Sequence, residues 1–234
     1  MNMKLKLILT IFVLVFLING WTWSTHQIIS EKIINSLPRE LNLNISLVKE
    51  GSIAPDKYFK DFRYHNYPYT INSSDYWIKK AKYFYSINDI NNASYSFGVL
   101  SHYISDTFAA PHTVSKEEYE LHKKFENQAS NYIPISNCQK YNLNLKKELE
   151  NSVSNKEDWY LWLKSKNIEI PKKEIEQAVK VLYPVALNIF NTNCINPTKI
   201  DNSEISLTIK NIFFILIIFM FIVLLTYSIF LNTK

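Results

Sequence analysis

His102 and Asp106 stand four residues apart, and so do His122 and Glu126. On a helix, residues at that spacing project from one face, one turn apart. The segment around His102 is otherwise apolar, with Ala93, Phe97, Leu100, Ile104 and Phe108 at helical spacing. The fold must therefore bury or pair ionisable groups on at least two helices. Each pair alone has a plain structural explanation: a His–Glu pair on a surface is an ion pair, and a His on an apolar face is a hydrogen-bonded core residue. The full set says more. The chain has five histidines, His26, His65, His102, His112 and His122, and each falls in a pattern with a carboxylate nearby. His112 follows the helix-stopping Pro111, between the two pairs, and His65 follows Pro55 and Asp56. Two helical pairs and a loop histidine converge if the helices pack antiparallel. Imidazole with carboxylate is a donor set suited to zinc.

The rest of the middle reads as helices joined by polar loops. Ser24 is placed to cap a helix carrying Ile28, Ile29, Ile33, Ile34 and Leu37, ended by Pro38. Residues 43–72 read as irregular, rich in Tyr and holding Pro55 and Pro68. A second helix is expected from Ser73 or Ser74 through Phe84, and a third from Asp89 or Asn91 to Phe108. Ser115 and Glu118 predict a capping box for a fourth helix through Ala129. Two more are expected, over about 155–165 and after Pro171, the last kinked at Pro184. No run alternates, so strands are minor at most. The fold class is all-α, a compact multi-helix domain.

Both ends of the 234-residue chain are hydrophobic. Residues 1–20 read as a secretory signal: Lys4 and Lys6, an apolar run from Leu7 to Ile18, then Asn19 and Gly20. An uncleaved N-terminal anchor is the alternative. Ile212 to Leu231 is long enough and apolar enough to cross a bilayer. The expected organisation is a signal at 1–20, a helical domain at 21–194, a linker at 195–205 and a transmembrane helix within 206–231. That puts the domain on the extracellular side of the membrane. The net charge of +5 is too diffuse for a nucleic-acid track. Cys138 and Cys194 lie in the exported part, where a single disulfide tying the last domain helix back to the preceding loop is expected; two free thiols are the alternative. Asn44, Asn72 and Asn92 each begin an N-x-Ser sequon.

Set in order, these residues resemble the zinc-dependent phospholipase C family and its structural relatives, the single-strand-specific zinc nucleases. The segments that carry the likeness are Trp21-Thr-Trp-Ser-Thr-His26, Gly51-Ser-Ile-Ala-Pro-Asp56, His65, Ser101-His-Tyr-Ile-Ser-Asp106 with Pro111-His112, and His122 followed by Glu126. They span residues 21 to about 130. The resemblance implies three Zn2+ ions. One takes Asp56, His65, His102 and Asp106; a second takes His112, His122 and Glu126; the third takes Trp21, His26 and a shared Asp106. In that superfamily the mature N-terminal Trp binds through its free amine and carbonyl. Trp21 fits the Trp-x-x-x-x-His spacing, and Trp23 is its rival if cleavage falls after Thr22. The glycine that often follows this Trp in the family is Thr22 here.

The implied chemistry is hydrolysis of a phosphoester by a water that neighbouring zincs share, with Asp56 as a proton acceptor. Glu126 in place of an Asp, the short His112-to-His122 spacing and the C-terminal anchor favour a phospholipid substrate. Eleven linker residues reach at most about 40 Å, so the site stays near the bilayer. Tyr58, Phe62, Tyr64, Tyr67 and Tyr69 flank His65; they are core and rim aromatics or a cradle for a cationic headgroup. The short Trp-to-His spacing favours a nuclease or 3′-nucleotidase instead. A non-enzymatic zinc-stabilised binding module is the third reading; its zinc shells would be closed.

Overall fold

The computed structural model describes residues 22–115 and 117–194, and among these the chain forms helices and short 3-10 or π turns and no strand. The α-helices are α1 (Thr22–Asn35), α2 (Ile45–Gly51), α3 (Tyr69–Ser86), α4 (Ile90–Phe108), α5 (Tyr119–Gln128), α6 (Leu145–Asn151), α7 (Asn155–Ser165) and α8 (Glu169–Ile189). The signal segment 1–20, Trp21, the linker 195–205 and the apolar run within 206–231 lie outside the described residues. Among the described residues, no helix is long and apolar enough to cross a membrane.

Helix α4 is the axis of the domain. The Asp89 side chain caps its start by accepting from the Asn92 N–H. From Ala93 to Phe108 nearly every residue is buried. It packs against α1, α2, α3 and α8, so it has no solvent face for polar side chains. Its hydroxyls turn inward on the helix instead: Ser94, Ser101, Ser105 and Thr107 donate to carbonyls three or four residues back. Such small residues also allow close packing. A Cβ on Gly98 would lie 2.1 Å from the Val48 carbonyl oxygen, and one on Gly51 would lie 2.2 Å from the Tyr95 oxygen. Two of the chain's three glycines thus serve one crossing, between α2 and α4.

The main core gathers Ile29, Ile33 and Leu37 of the first segment, Phe97, Leu100, Ile104 and Phe108 of α4, and Val179, Leu182 and Ala186 of α8. A second cluster of Phe125, Trp159, Trp162, Ile170 and Ala110 joins α5 to α7. The Trp159 and Trp162 rings stack at 5.3 Å, and Phe125 meets Trp162 edge-on at 5.1 Å. Cys138 and Cys194 form a disulfide across 56 residues, pinning the loop after α5 to the end of α8.

Several local expectations are corrected. Ser24 lies inside α1, which begins at Thr22. The stretch 43–72 is not irregular throughout. Asn44 caps α2 by accepting from the Leu47 N–H, a signal present in the sequence. A π turn, Pro55–Phe59, follows, and α3 starts at Tyr69 rather than Ser73. The Ser115/Glu118 capping box does not form: α5 starts at Tyr119, and Glu118 at its cap position makes no side-chain bond. Pro171 falls in the first turn of α8 and Pro184 within it, and α6 was missed.

Candidate metal centre

All five histidines and the three carboxylates converge. His26 comes from α1, Asp56 from the Pro55–Phe59 turn, and His65 from the loop before α3. His102 and Asp106 come from α4, His112 from the 3-10 turn Ala110–Thr113, and His122 and Glu126 from α5. The ligand atoms fall into two groups that could each hold a metal ion: Asp56, His65, His102 and Asp106, and His112, His122 and Glu126. These are the first two sets expected from the sequence. Of the third, His26 Nε2 lies 3.1 Å from Asp106 Oδ1, and Trp21 is outside the described residues.

In the first group, Asp106 Oδ2 lies 2.8 Å from His65 Nδ1 and 3.2 Å from His102 Nε2. Asp56 Oδ1 lies 3.7 Å from His65 Nδ1 and 3.5 Å from His102 Nε2. In the second, Glu126 Oε1 is 3.6 Å from His112 Nε2 and 2.6 Å from His122 Nε2. A tetrahedral zinc shell with bonds of about 2.1 Å sets neighbouring donors about 3.4 Å apart. The first group clusters around that value. Asp106 divides its oxygens: Oδ1 faces His26, while Oδ2 faces His65, His102 and, at 3.7 Å, His112.

A second ring of contacts sets which nitrogen of each ring faces the centre. His102 Nδ1 donates to the Ser52 carbonyl at 2.8 Å. The tight α2–α4 crossing at Gly51 and Gly98 brings that carbonyl within reach. His65 Nε2 lies 3.4 Å from Asp61 Oδ1, and Tyr103 donates to the other Asp61 oxygen at 2.5 Å. His26 Nδ1 meets Ser105 Oγ at 2.8 Å. Because Ser105 gives its hydrogen to the His102 carbonyl, His26 is the donor there. His122 Nδ1 lies 3.4 Å from Glu117.

The consequence is sharpest at His102. With Nδ1 committed to Ser52, a neutral ring turns the Nε2 lone pair toward two carboxylates, and this fully buried atom has no hydrogen-bond partner. A cation between these groups resolves that arrangement, and zinc fits the donors. Without a metal, the cation is a proton. Burial works against it, yet the Asp106 and Asp56 carboxylates push the His102 pKa up to about 10. His122 behaves alike: burial opposes its charge, and Glu126 carries it up to about 9. Burial favours the neutral form of Asp106, but His26 and His102 hold it well below the usual carboxylate range.

The site opens on one side. The side chains of His65, His102 and Asp106 are at most 4% exposed, while Asp56 is 13%, His122 16% and His112 18% exposed. A substrate arriving from solvent meets Asp56, His112 and His122.

Ser52, Asp61, Ser105 and Glu117 were missed by the sequence reading. Asp61 had a signal, since Asp61 and His65 are a third carboxylate–histidine pair at four-residue spacing. The Ser52 contribution is a backbone carbonyl, for which no side-chain pattern exists.

An all-α domain with clustered imidazoles and carboxylates around a buried ring nitrogen facing two carboxylates defines a zinc-type metalloprotein. The family of zinc dependent phospholipase C matches residues 25–189, and the chain belongs to it. It is thus placed among zinc-dependent phosphoester hydrolases. No curated protein and no solved structure matches it.

Proposed function

We propose that this protein is a trinuclear-zinc phospholipase C that cleaves the glycerol-side phosphoester bond of phospholipids. The observation that carries the reading is the division of Asp106 between His26 on one oxygen and the Asp56 group on the other, beside the second group. Asp106 would then be a ligand to two metals, one through each oxygen's neighbours. The proposed ligands are Trp21, His26, Asp56, His65, His102, Asp106, His112, His122 and Glu126.

Bound zinc supplies polarisation of the phosphoryl oxygens and a water that deprotonates near neutral pH. The chain's own groups do the remainder. Asp56 Oδ1 faces His65 and His102, which leaves Oδ2 to take the proton of the attacking water. In the metal-free protein, His102 beside it outweighs the effect of burial and lowers the Asp56 pKa. The walls of His65, His102 and Asp106 exclude bulk water. A free amine at Trp21 follows only from cleavage before it, so the third metal binds after export. A recombinant chain with one residue left before Trp21 is expected to hold two zincs. Three zincs with full activity would overturn this.

A lipid substrate accords with the family and with the apolar run 212–231 as an anchor beside the membrane. The competing nuclease or 3′-nucleotidase reading is favoured by the short Trp-to-His spacing. It also has aromatics for stacking: Lys57 lies over both the Trp23 and Tyr58 rings at 5.4 and 4.9 Å. A substrate panel decides: the zinc-loaded protein against phosphatidylcholine and other phospholipids, single-stranded nucleic acid and 3′-nucleotides. Release of phosphorylated headgroup is expected. Nucleotide release without lipid turnover would sink the phospholipase reading, and no hydrolysis with zinc retained would favour a binding module. His112→Ala or Glu126→Ala should abolish whichever activity appears.

A further inference from the structure

Helix α4 ends at Phe108, and helical turns resume at Ala110. Ala109 between them is extended, with φ −72° and ψ 119°. Such a break frees backbone groups, and all three residues are buried, so those groups need partners from elsewhere. They find them on helices that carry no histidine. The Asn155 side-chain amide, at the start of α7, donates to the Phe108 carbonyl at 2.6 Å. The Ala110 N–H donates to Glu174 Oε2, on α8, at 3.0 Å. Asn155 and Glu174 are each 3% exposed. Gln177 Oε1, 3.2 Å from Asn155 Nδ2, takes that amide's second hydrogen.

Glu174 is a costly residue for packing alone. Its other oxygen, Oε1, is buried without a hydrogen-bond partner, and burial pushes its carboxyl well above the ordinary range. It lines a cavity of about 10 Å³ together with His26, Ser105 and Asp106. An apolar side chain would fill the space without desolvation. What the carboxyl adds is an acceptor for Ala110.

The break lies between Asp106 and His112, whose Oδ2 and Nε2 are 3.7 Å apart. That short gap joins the two ligand groups. We propose that Glu174 and Asn155 are positioning residues that fix the α4 break and so set the spacing between the Asp106 and His112 ligand groups. This rests on the metal reading of the site. The C-terminal helices, which supply none of the proposed ligands, then hold the second metal group in place.

The test uses the full chain and three variants. Zinc retention is measured by graded chelator competition, and amide exchange of the 108–113 segment is measured on the metal-free protein. Glu174→Gln keeps an acceptor and should match the parent. Glu174→Ala and Asn155→Asp each remove one bond. Both should release the more weakly held zinc about tenfold more readily, the low end for loss of an outer-shell partner, and should speed exchange at Ala110. Equal behaviour of Glu174→Gln and Glu174→Ala would overturn the proposal, as would parent-like zinc retention and exchange in Glu174→Ala. If Glu174→Ala does not fold, the near-isosteric Asn155→Asp decides: parent-like values there overturn the proposal. Failure of the parent to bind zinc would defeat the metal reading, whereas the exchange data report on the clamp alone.

Discussion

His26, His65, His102 and His122 each spend one ring nitrogen on an outer partner and turn the other inward. Asp61 is the clearest such partner, because it holds His65 and Tyr103 together. Burial disfavours its charge, but these hydrogen bonds lower its pKa. Asp61→Ala should weaken zinc binding at the Asp56 group about 10- to 100-fold, read by chelator competition, while Asp61→Asn, which still accepts, should lose less. The clustered charges also set a pH window for the metal-free protein. His102 and His122 are raised from 6.5 to about 10 and about 9. Their contribution is whole below pH 6.5 and is lost as pH rises through those values. Asp106 and Glu126 are lowered from 3.8 and 4.5, so their contribution is whole above pH 4.5 and is lost as pH falls through the depressed values. Glu174, which burial raises well above 4.5, adds a contribution that is whole below pH 4.5 and is lost as pH rises, so metal-free protein should be most stable near about pH 4.5 and should lose stability from there toward pH 10. Denaturant midpoints across pH check this, and zinc should flatten the alkaline limb by replacing the protons.

Among the elements, the α2–α4 crossing matters most to the site. The backbones approach too closely there for any side chain at Gly98, and the approach delivers the Ser52 carbonyl to His102. Gly98→Ala should cost about 1–3 kcal/mol, the range for overpacking a filled interior, measured by chemical denaturation. It should also lower zinc retention at the His102 group, which a purely packing defect elsewhere would leave intact. The i, i+4 pairs on α4 and α5 were legible in the sequence, because ligand spacing and helical pitch are both local. The cap of α2 was legible too and was overlooked: Asn44 sits three residues before Leu47, whose N–H it accepts. The failed box at Ser115 shows the reverse, a local pattern that the tertiary path of the chain does not use.

In the whole molecule, the candidate ligands end at Glu126, while Cys138 and Cys194 close a 56-residue loop beyond them. Replacing both cysteines by serine removes a constraint on the unfolded chain worth about 4 kcal/mol in the loop-entropy account. The melting temperature should drop substantially, yet zinc stoichiometry at low temperature should hold, since no ligand lies within the loop. Loss of zinc with the fold intact would contradict that separation. Helices α7 and α8 nevertheless reach the centre by other means, through Phe125 packed on Trp162 and through Asn155 and Glu174 at the α4 break.

The sequence by itself determined the all-α class, most of the longer helices and, through the order of the family's motifs, the family and the two candidate ligand groups, because helical periodicity and motif order are written in the spacing of residues. The pairing of Cys138 with Cys194 was legible as the expected choice of two. Tertiary structure alone decided the rest. The Ser52 carbonyl is a backbone atom common to every residue, so only the crossing of α2 and α4 singles it out. Glu174 lies 64 residues from the amide that it accepts, and nothing in its local sequence distinguishes it from a surface glutamate. Which oxygen of Asp106 faces which histidine is likewise a matter of how α1, α4 and the loop before α3 meet.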